Sequence, residues 1–279
     1  MMDSVESQIQ QVWATEQEIL DVIHKVCTEN GLRYSLAYGT LIGAVRHKGF
    51  IPWDDDIDLM MPREDYEKLL AIWDQAAPEG YLLQNYHTYT DYTNNFTKIV
   101  KDHTTFLQKE EDRTASFHKG VFVDIFPGDR VAPGRIRRKI QYVACAVNLL
   151  YSRGYTSGTG GVMGLIERVL LKLPKNRQIH FRDKTEKIIS KWNKSNQLPY
   201  LFSCTIGCSR LYYPSDMFDG ESVISFCGKE YCCVNDYDKI LRIQYGNYMM
   251  LPPEEDRVWK HHPILIDFEH NYEELTDQQ

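Results

Sequence analysis

The chain has 279 residues, enough for one large or two small domains, and its 43% hydrophobic and 25% charged content is that of an ordinary globular protein rather than a disordered or fibrous one. With a formal net charge of −7, no nucleic-acid partner is expected. Residues 1–11 are polar with no basic-then-apolar signal pattern, and the longest apolar run, 143–151, is interrupted by Asn148 and too short to span a bilayer. These features, with seven cysteines read as reduced thiols, predict a cytoplasmic location.

Residues 8–29 place Ile9, Val12, Trp13, Ile19, Ile23, Val26 and Cys27 at helical spacing, and Asn30-Gly31 ends that helix. Residues 32–38 read as a strand leading into Gly39-Thr40, and 40–46 as a short helix. A strand, a glycine turn and a helix start expose backbone N–H groups that favour an anion. The loop 49–53 then delivers Asp54, Asp55, Asp56 and Asp58. Residues 56–61 read as a strand, and Pro62 opens a helix to Trp73 with Glu64 and Asp65 in its first turn. Further strands are predicted at 81–86, 96–101, 104–108 and 121–126. Residues 130–194 are mostly helical, broken at 154–164 and at Pro174. The tail carries Tyr245-Gly246-Asn247-Tyr248-Met249-Met250-Leu251-Pro252-Pro253 and ends near His261-His262.

Four carboxylates within five residues repel one another unless a cation or hydrogen bonds hold them. Strand periodicity sets Asp56 and Asp58 on one face, with Ile57 and Leu59 on the other. Oxygen-only ligands suit a hard cation, and the adjacent Arg46, His47 and Lys48 suit a phosphate. Asp124 lies inside the apolar strand Val121-Phe122-Val123-Asp124-Ile125-Phe126, a costly position unless it has a partner; a cation shared with Asp56 and Asp58 would supply one.

The run from Tyr38 to Leu59 resembles the LicD family of phosphotransferases, which includes the fukutin-related proteins and is similar to the nucleotidyltransferases. Gly39-Thr40 stands where the superfamily has Gly-Ser, and Asp56-Ile57-Asp58 is its acidic pair. Lys98-Ile99-Val100-Lys101-Asp102 resembles a further family segment, and the tail, with Asp236-Tyr237-Asp238-Lys239-Ile240-Leu241, residues 245–253 and an end near His261-His262, resembles the family's C-terminal signature. The resemblance implies an α+β fold with a nucleotidyltransferase-like mixed sheet flanked by helices. It implies a catalytic domain formed by residues 1–129 and 195–279, with 130–194 as a basic, mostly helical insertion. It implies Mg2+ or Mn2+ held by Asp56, Asp58 and Asp124, the catalytic residues. Substrate binding is expected of Tyr38, Gly39, Thr40, Arg46, His47, Lys48, Trp53 and Lys98. The implied reaction moves a phospho-alcohol from a CDP-linked donor, with CDP-choline foremost, to a hydroxyl of a glycan or lipid-linked glycan, releasing CMP.

Two other readings stay open: a true nucleotidyltransferase that releases pyrophosphate from an NTP, and a non-catalytic module that binds anionic polymers. An EF-hand is disfavoured, because Leu59 stands where the loop needs glycine. Cys204, Cys208, Cys227, Cys232 and Cys233 lack paired Cys-x-x-Cys spacing, so buried thiols are favoured over zinc. Residues 130–194 hold fifteen Lys/Arg and three Asp/Glu, a balance of +12 against −19 elsewhere. The plain reading is a solvated basic surface; the other is peripheral contact with the inner face of a membrane through apolar faces at 143–151 and 162–173.

Overall fold

The computed structural model describes residues 5–158, 160–195, 198–201, 212–220, 222–259, 261 and 263–276. The fold is α+β, as expected, and is built on the nine-residue strand β6 (Phe122–Arg130), every residue of which is buried. The elements before it are helix α1 (Val5–Glu29), β1 (Ser35–Leu36), α2 (Tyr38–Arg46), β2 (Asp58–Pro62), α3 (Arg63–Ala76), β3 (Tyr81–Gln84), β4 (Thr97–Lys101) and β5 (Thr105–Leu107). The main sheet runs β1-β2-β6-β4-β3. Only β2 and β6 are parallel, with Asp58 opposite Asp124 and Leu59 opposite Ile125. The strand predicted over 56–61 begins two residues later, because 54–57 form the loop that carries the acidic cluster.

Helices α1 and α3 pack on the central strands. In α1 the stripe Ile9, Val12, Ile19, Leu20, Ile23, Val26 and Cys27 is buried, and in α3 the stripe is Tyr66, Leu69 and Trp73. Gly31, at φ +62, makes the left-handed turn that ends α1 and returns the Leu32 N–H to the Cys27 carbonyl at 2.9 Å.

After β6 the chain forms α4 (Arg135–Arg153), α5 (Gly161–Leu171) and α6 (Lys175–Ile189), then returns as β7 (Tyr200–Leu201), which pairs with the end of β6. Departure and return are thus adjacent: the Val131 N–H reaches the Pro199 carbonyl at 2.8 Å. Helix α4 packs on α6 around Val131, Ala144, Cys145 and Ile189. Ala144, Cys145, Leu150 and Tyr151 face inward, so the apolar run 143–151 is largely a packing face. Cys145 is disulfide-bonded, against the expectation of seven reduced thiols; Cys27, Cys227, Cys232 and Cys233 are free.

The remaining elements are β8 (Tyr212–Tyr213), the hairpin β9 (Val223–Phe226) and β10 (Lys229–Cys232), α7 (Tyr237–Tyr245), β11 (Leu265–Asp267), which pairs with β5, and α8 (Tyr272–Thr276). The hairpin turns at Cys227-Gly228, both at positive φ, the geometry of a tight two-residue turn. No helix among the described residues is long and apolar enough to cross a membrane.

A buried ion network fastens α6 to the sheet. Arg63 donates both Nε and Nη2 to Asp129, at 2.9 and 2.8 Å, and Nη1 to Glu186 at 2.6 Å. Asn193 donates to Asp129 at 2.8 Å, and the Tyr86 hydroxyl donates to Glu186. Burial acts to raise the Glu186 carboxyl, but Arg63 and these hydrogen bonds overcome it and hold the carboxyl below its ordinary value of 4.5. The folded state therefore keeps Glu186 ionised where the unfolded chain would take up a proton. Its contribution is present above about pH 4.5 and fades as pH falls toward the folded value. Arg63→Met should lower stability by about 3–5 kcal/mol, because two carboxylates lose their counter-charge. Glu186→Gln should flatten the decline of Tm below pH 4.5; thermal melts across that range check both outcomes.

Candidate active site

The site lies where α2, the loop 49–57 and the start of β2 meet. Two hydrogen bonds join the Gly39-Thr40 turn to the acidic strand. The Asp58 N–H donates to Thr40 Oγ1 at 2.8 Å, and the Ala37 N–H donates to the Asp58 carbonyl at 2.9 Å. A hydroxyl after the glycine thus sets the position of the second acidic residue. Gly39 is required on steric grounds, because a Cβ there would run into the Asp54 carboxylate. Tyr38 holds φ +47, an uncommon conformation for a non-glycine residue, with its ring edge-on to Phe126 at 5.1 Å between centroids.

The Asp54, Asp55 and Asp56 carboxylates each offer an oxygen within 4.8 Å of the others, the only such group among the described residues. Asp58 and Asp124 sit side by side across the β2–β6 pair. Ile57 and Leu59 are fully buried while Asp56 and Asp58 are partly accessible, which matches the alternation expected from the sequence. Lys98, on β4 opposite Asp124, donates Nζ to Asp124 Oδ1 at 2.8 Å and lies over the Phe122 ring. Burial lowers the Lys98 ammonium below the usual lysine range and raises the Asp124 carboxyl; their mutual attraction opposes both shifts.

A cleft of about 590 Å³ opens beside this cluster. It is lined by Tyr38, Gly39, Arg46, Trp53, Asp54, Asp56 and Asp58 from the N-terminal half, and by Tyr245, Tyr248 and residues 250–253 from the tail. Arg46 ties the two halves together by donating Nη1 to the Tyr248 carbonyl at 2.8 Å. Trp53 has His47 edge-on at 6.1 Å and the Arg257 guanidinium 5.4 Å over its ring. Tyr245, 47% exposed, is the open aromatic of the cleft. His47 and Lys48 do not line it; Lys48 is exposed, at φ +61, and its carbonyl accepts the Cys227 N–H at 2.9 Å. Lys98 opens instead onto a second cavity of about 150 Å³ with Tyr92, Phe106, Phe117 and Phe122. Among the described residues the cysteines form no metal-ligating group; Cys204, Cys208 and His262 lie outside them.

Two residues at the site escaped the sequence reading. His261 approaches Asp55 Oδ1 with Nδ1 at 3.0 Å, and its N–H donates to Oδ2 at 3.3 Å. Burial acts to lower the imidazole, but the Asp55 carboxylate prevails and raises it above its ordinary value. Glu16 on α1 is 1% exposed, and its Oε2 has no hydrogen-bond partner. Burial, followed by the charges of Asp56, Asp55, Asp54 and Asp124, raises its carboxyl well above 4.5. One turn earlier, Trp13 donates Nε1 to the Asp54 carbonyl at 2.8 Å, which seats this helix face on the acidic loop. A signal for Glu16 existed in the sequence: it interrupts the apolar stripe between Val12 and Ile19. His261 was legible only as the end of the C-terminal stretch that resembles the family's, its partner lying more than two hundred residues away.

The donor set fits a hard divalent cation. All the candidate ligands are carboxylate oxygens, and the buried Glu16 Oε2 beside them has no hydrogen-bond partner.

Comparison with known proteins agrees with this geometry. Residues 31–136 match the LicD/FKTN/FKRP nucleotidyltransferase domain. Over 247 residues the chain is 31% identical to the lipopolysaccharide cholinephosphotransferase LicD of Haemophilus influenzae, covering 86% of this chain and 90% of that one. Shorter matches reach an uncharacterized protein of Rickettsia prowazekii, 38% identical over 26% of this chain and 27% of that one, and one of Rickettsia typhi, 32% identical over 40% and 33%. These matches define a phosphotransferase that carries a nucleotidyltransferase domain. The chain is a member of the LicD family.

Two outcomes are expected. Gly39→Ala should displace the Asp54 carboxylate and lower turnover by roughly 100-fold at nearly unchanged far-UV circular dichroism, since a displacement of about 1 Å suffices for such a loss. Glu16 binds a proton in the folded state that the unfolded chain releases, so stability falls as pH rises from about 4.5 toward the raised folded value. Glu16→Gln should remove that decline and raise the Tm of metal-free protein at pH 7 by ~2 °C or more; superimposable melts of variant and wild type from pH 5 to 8 would contradict it.

Proposed function

We propose that the chain transfers a phosphocholine-like group from a CDP-linked donor to a hydroxyl of a cell-surface glycan or its precursor, releasing CMP. The observation that carries this reading is the acidic cleft, which joins Asp54, Asp56 and Asp58 to Arg46 and Tyr245 in a chain alike over most of its length to a lipopolysaccharide cholinephosphotransferase. Lipopolysaccharide or a related glycan is accordingly the proposed acceptor.

Asp56, Asp58 and Asp124 would hold Mg2+ or Mn2+, and the neighbouring Asp54 and Asp55 add to the negative field that attracts it. A cation held there would supply positive charge to offset the charge that develops on the donor during phosphoryl transfer. The residues of the chain do the rest. Arg46, anchored to the Tyr248 carbonyl, supplies fixed positive charge at the cleft wall. Lys98 holds its ammonium on Asp124 from the side of the second cavity and offsets that carboxylate's charge. The face of Tyr245 is free to meet a quaternary ammonium. The attacking hydroxyl would form the new phosphorus–oxygen bond as the bond to CMP breaks, and would give its proton to one of the carboxylates of the cluster, Asp124 foremost. His261 fixes Asp55 and stays cationic above the usual histidine range, which limits repulsion within the cluster.

A panel of CDP-alcohols incubated with Mg2+ and scored for CMP tests the reading. CMP should appear with CDP-choline or a close relative, and pyrophosphate release from an NTP in its place would overturn the assignment. Asp56→Ala, Asp58→Ala and Asp124→Ala should each lower turnover by roughly 100-fold or more, and chelation should abolish it. Near-normal turnover by the Asp124 variant would remove that residue from the ligand set.

A further inference from the structure

Helix α5 is turned apolar side out. Val162, Leu165, Ile166 and Val169 follow the i, i+3, i+4, i+7 spacing of one helical face, and all four are exposed, Val162 by 77%. The opposite side is the attached one. Gly164 is buried there, and Glu167 accepts Arg153 Nη2 from the end of α4 at 3.2 Å and the Ser157 N–H at 2.8 Å. This ion pair fixes the rotation of α5, so the outward stripe is a built feature of the surface. On α4 a second stripe, Ile136, Ile140 and Val143, is likewise exposed, Ile136 by 77%. Exposed Arg135, Arg137 and Lys139 alternate with it.

We propose that these α4 and α5 faces seat the protein on a membrane surface carrying anionic lipid headgroups. At 11 residues α5 is about 16 Å long, too short to span a bilayer but suited to lying in the headgroup layer with its apolar side down. The charge selects the occupant. Residues 130–194 carry fifteen Lys/Arg against three Asp/Glu, so a second copy docking here would set like charge against like. An anionic lipid layer meets both the apolar stripes and the surrounding cations. The inference is independent of the identity of the donor and of the metal ligands.

The test is co-sedimentation of the full chain with vesicles of phosphatidylcholine alone and of phosphatidylcholine mixed with phosphatidylglycerol. Partitioning should be at least roughly tenfold stronger on the mixed vesicles and should weaken as salt rises. Ile166→Asp with Val169→Asp should reduce it at least roughly tenfold. Arg135→Glu with Arg137→Glu and Lys139→Glu should remove the preference for anionic vesicles. All five side chains are exposed, so Tm should hold in both variants. The proposal is overturned if wild type ignores both vesicle types or if both folded variants partition like wild type. It also fails if the aspartate variant only converts a dimer to a monomer, which would make the face a protein interface.

Discussion

Repulsion among carboxylates is the constraint on which the rest of this structure depends. Glu16, Asp54, Asp55, Asp56, Asp58 and Asp124 come from a helix, a loop and two strands and bring their carboxyl groups to one place. The fold answers with cations at different depths. Lys98 neutralises Asp124 inside the sheet, and His261 approaches Asp55 from the tail. Glu16 has no such partner and keeps its proton instead. Hydrogen bonds from Trp13 to the Asp54 carbonyl and from the Asp58 N–H to Thr40 hold the cluster in place against that repulsion.

The central part of the site was legible because local geometry governs it. Strand alternation puts Ile57 and Leu59 in the core and leaves Asp56 and Asp58 accessible, and an aspartate in the apolar run 121–126 had to have a partner. The break points of the helical region were largely legible for the same reason, since Gly154 ends α4 in a left-handed conformation and Pro174 precedes α6; Gly164, expected in the break, lies inside α5, which starts at Gly161. What could not be read depends on long-range docking. The approach of His261 to Asp55, the closing of the cleft by residues 245–253 and the turning of Lys98 toward a separate cavity all depend on how distant segments pack. Lys48, plausible as a phosphate ligand from its place in the Arg-His-Lys run, is directed away from the cleft by a left-handed turn whose carbonyl binds the β9–β10 hairpin.

The helical region 130–194 illustrates how one interaction can join two tasks. Arg63 begins the helix after β2, Asp129 ends β6, and Glu186 lies on α6, so a single guanidinium relates the strand pair bearing the acidic residues to the helices that display the basic surface. With two carboxylates in a buried place, the arrangement tolerates little displacement of α6 relative to the sheet. An acceptor held at the helical surface would therefore meet the cleft at a fixed distance and angle.

The join between Arg46 and the Tyr248 carbonyl, together with the reach of His261 to Asp55, bears on when the site comes into being during synthesis. The chain emerges from the ribosome with the carboxylates first, and most of the sheet can pair once β6 is out. The outer wall of the cleft is supplied about two hundred residues after the residues it covers. A nascent or prematurely terminated chain would carry the acidic cluster as an open, strongly charged groove. The walled cleft therefore forms only after translation has passed the tail residues that line it.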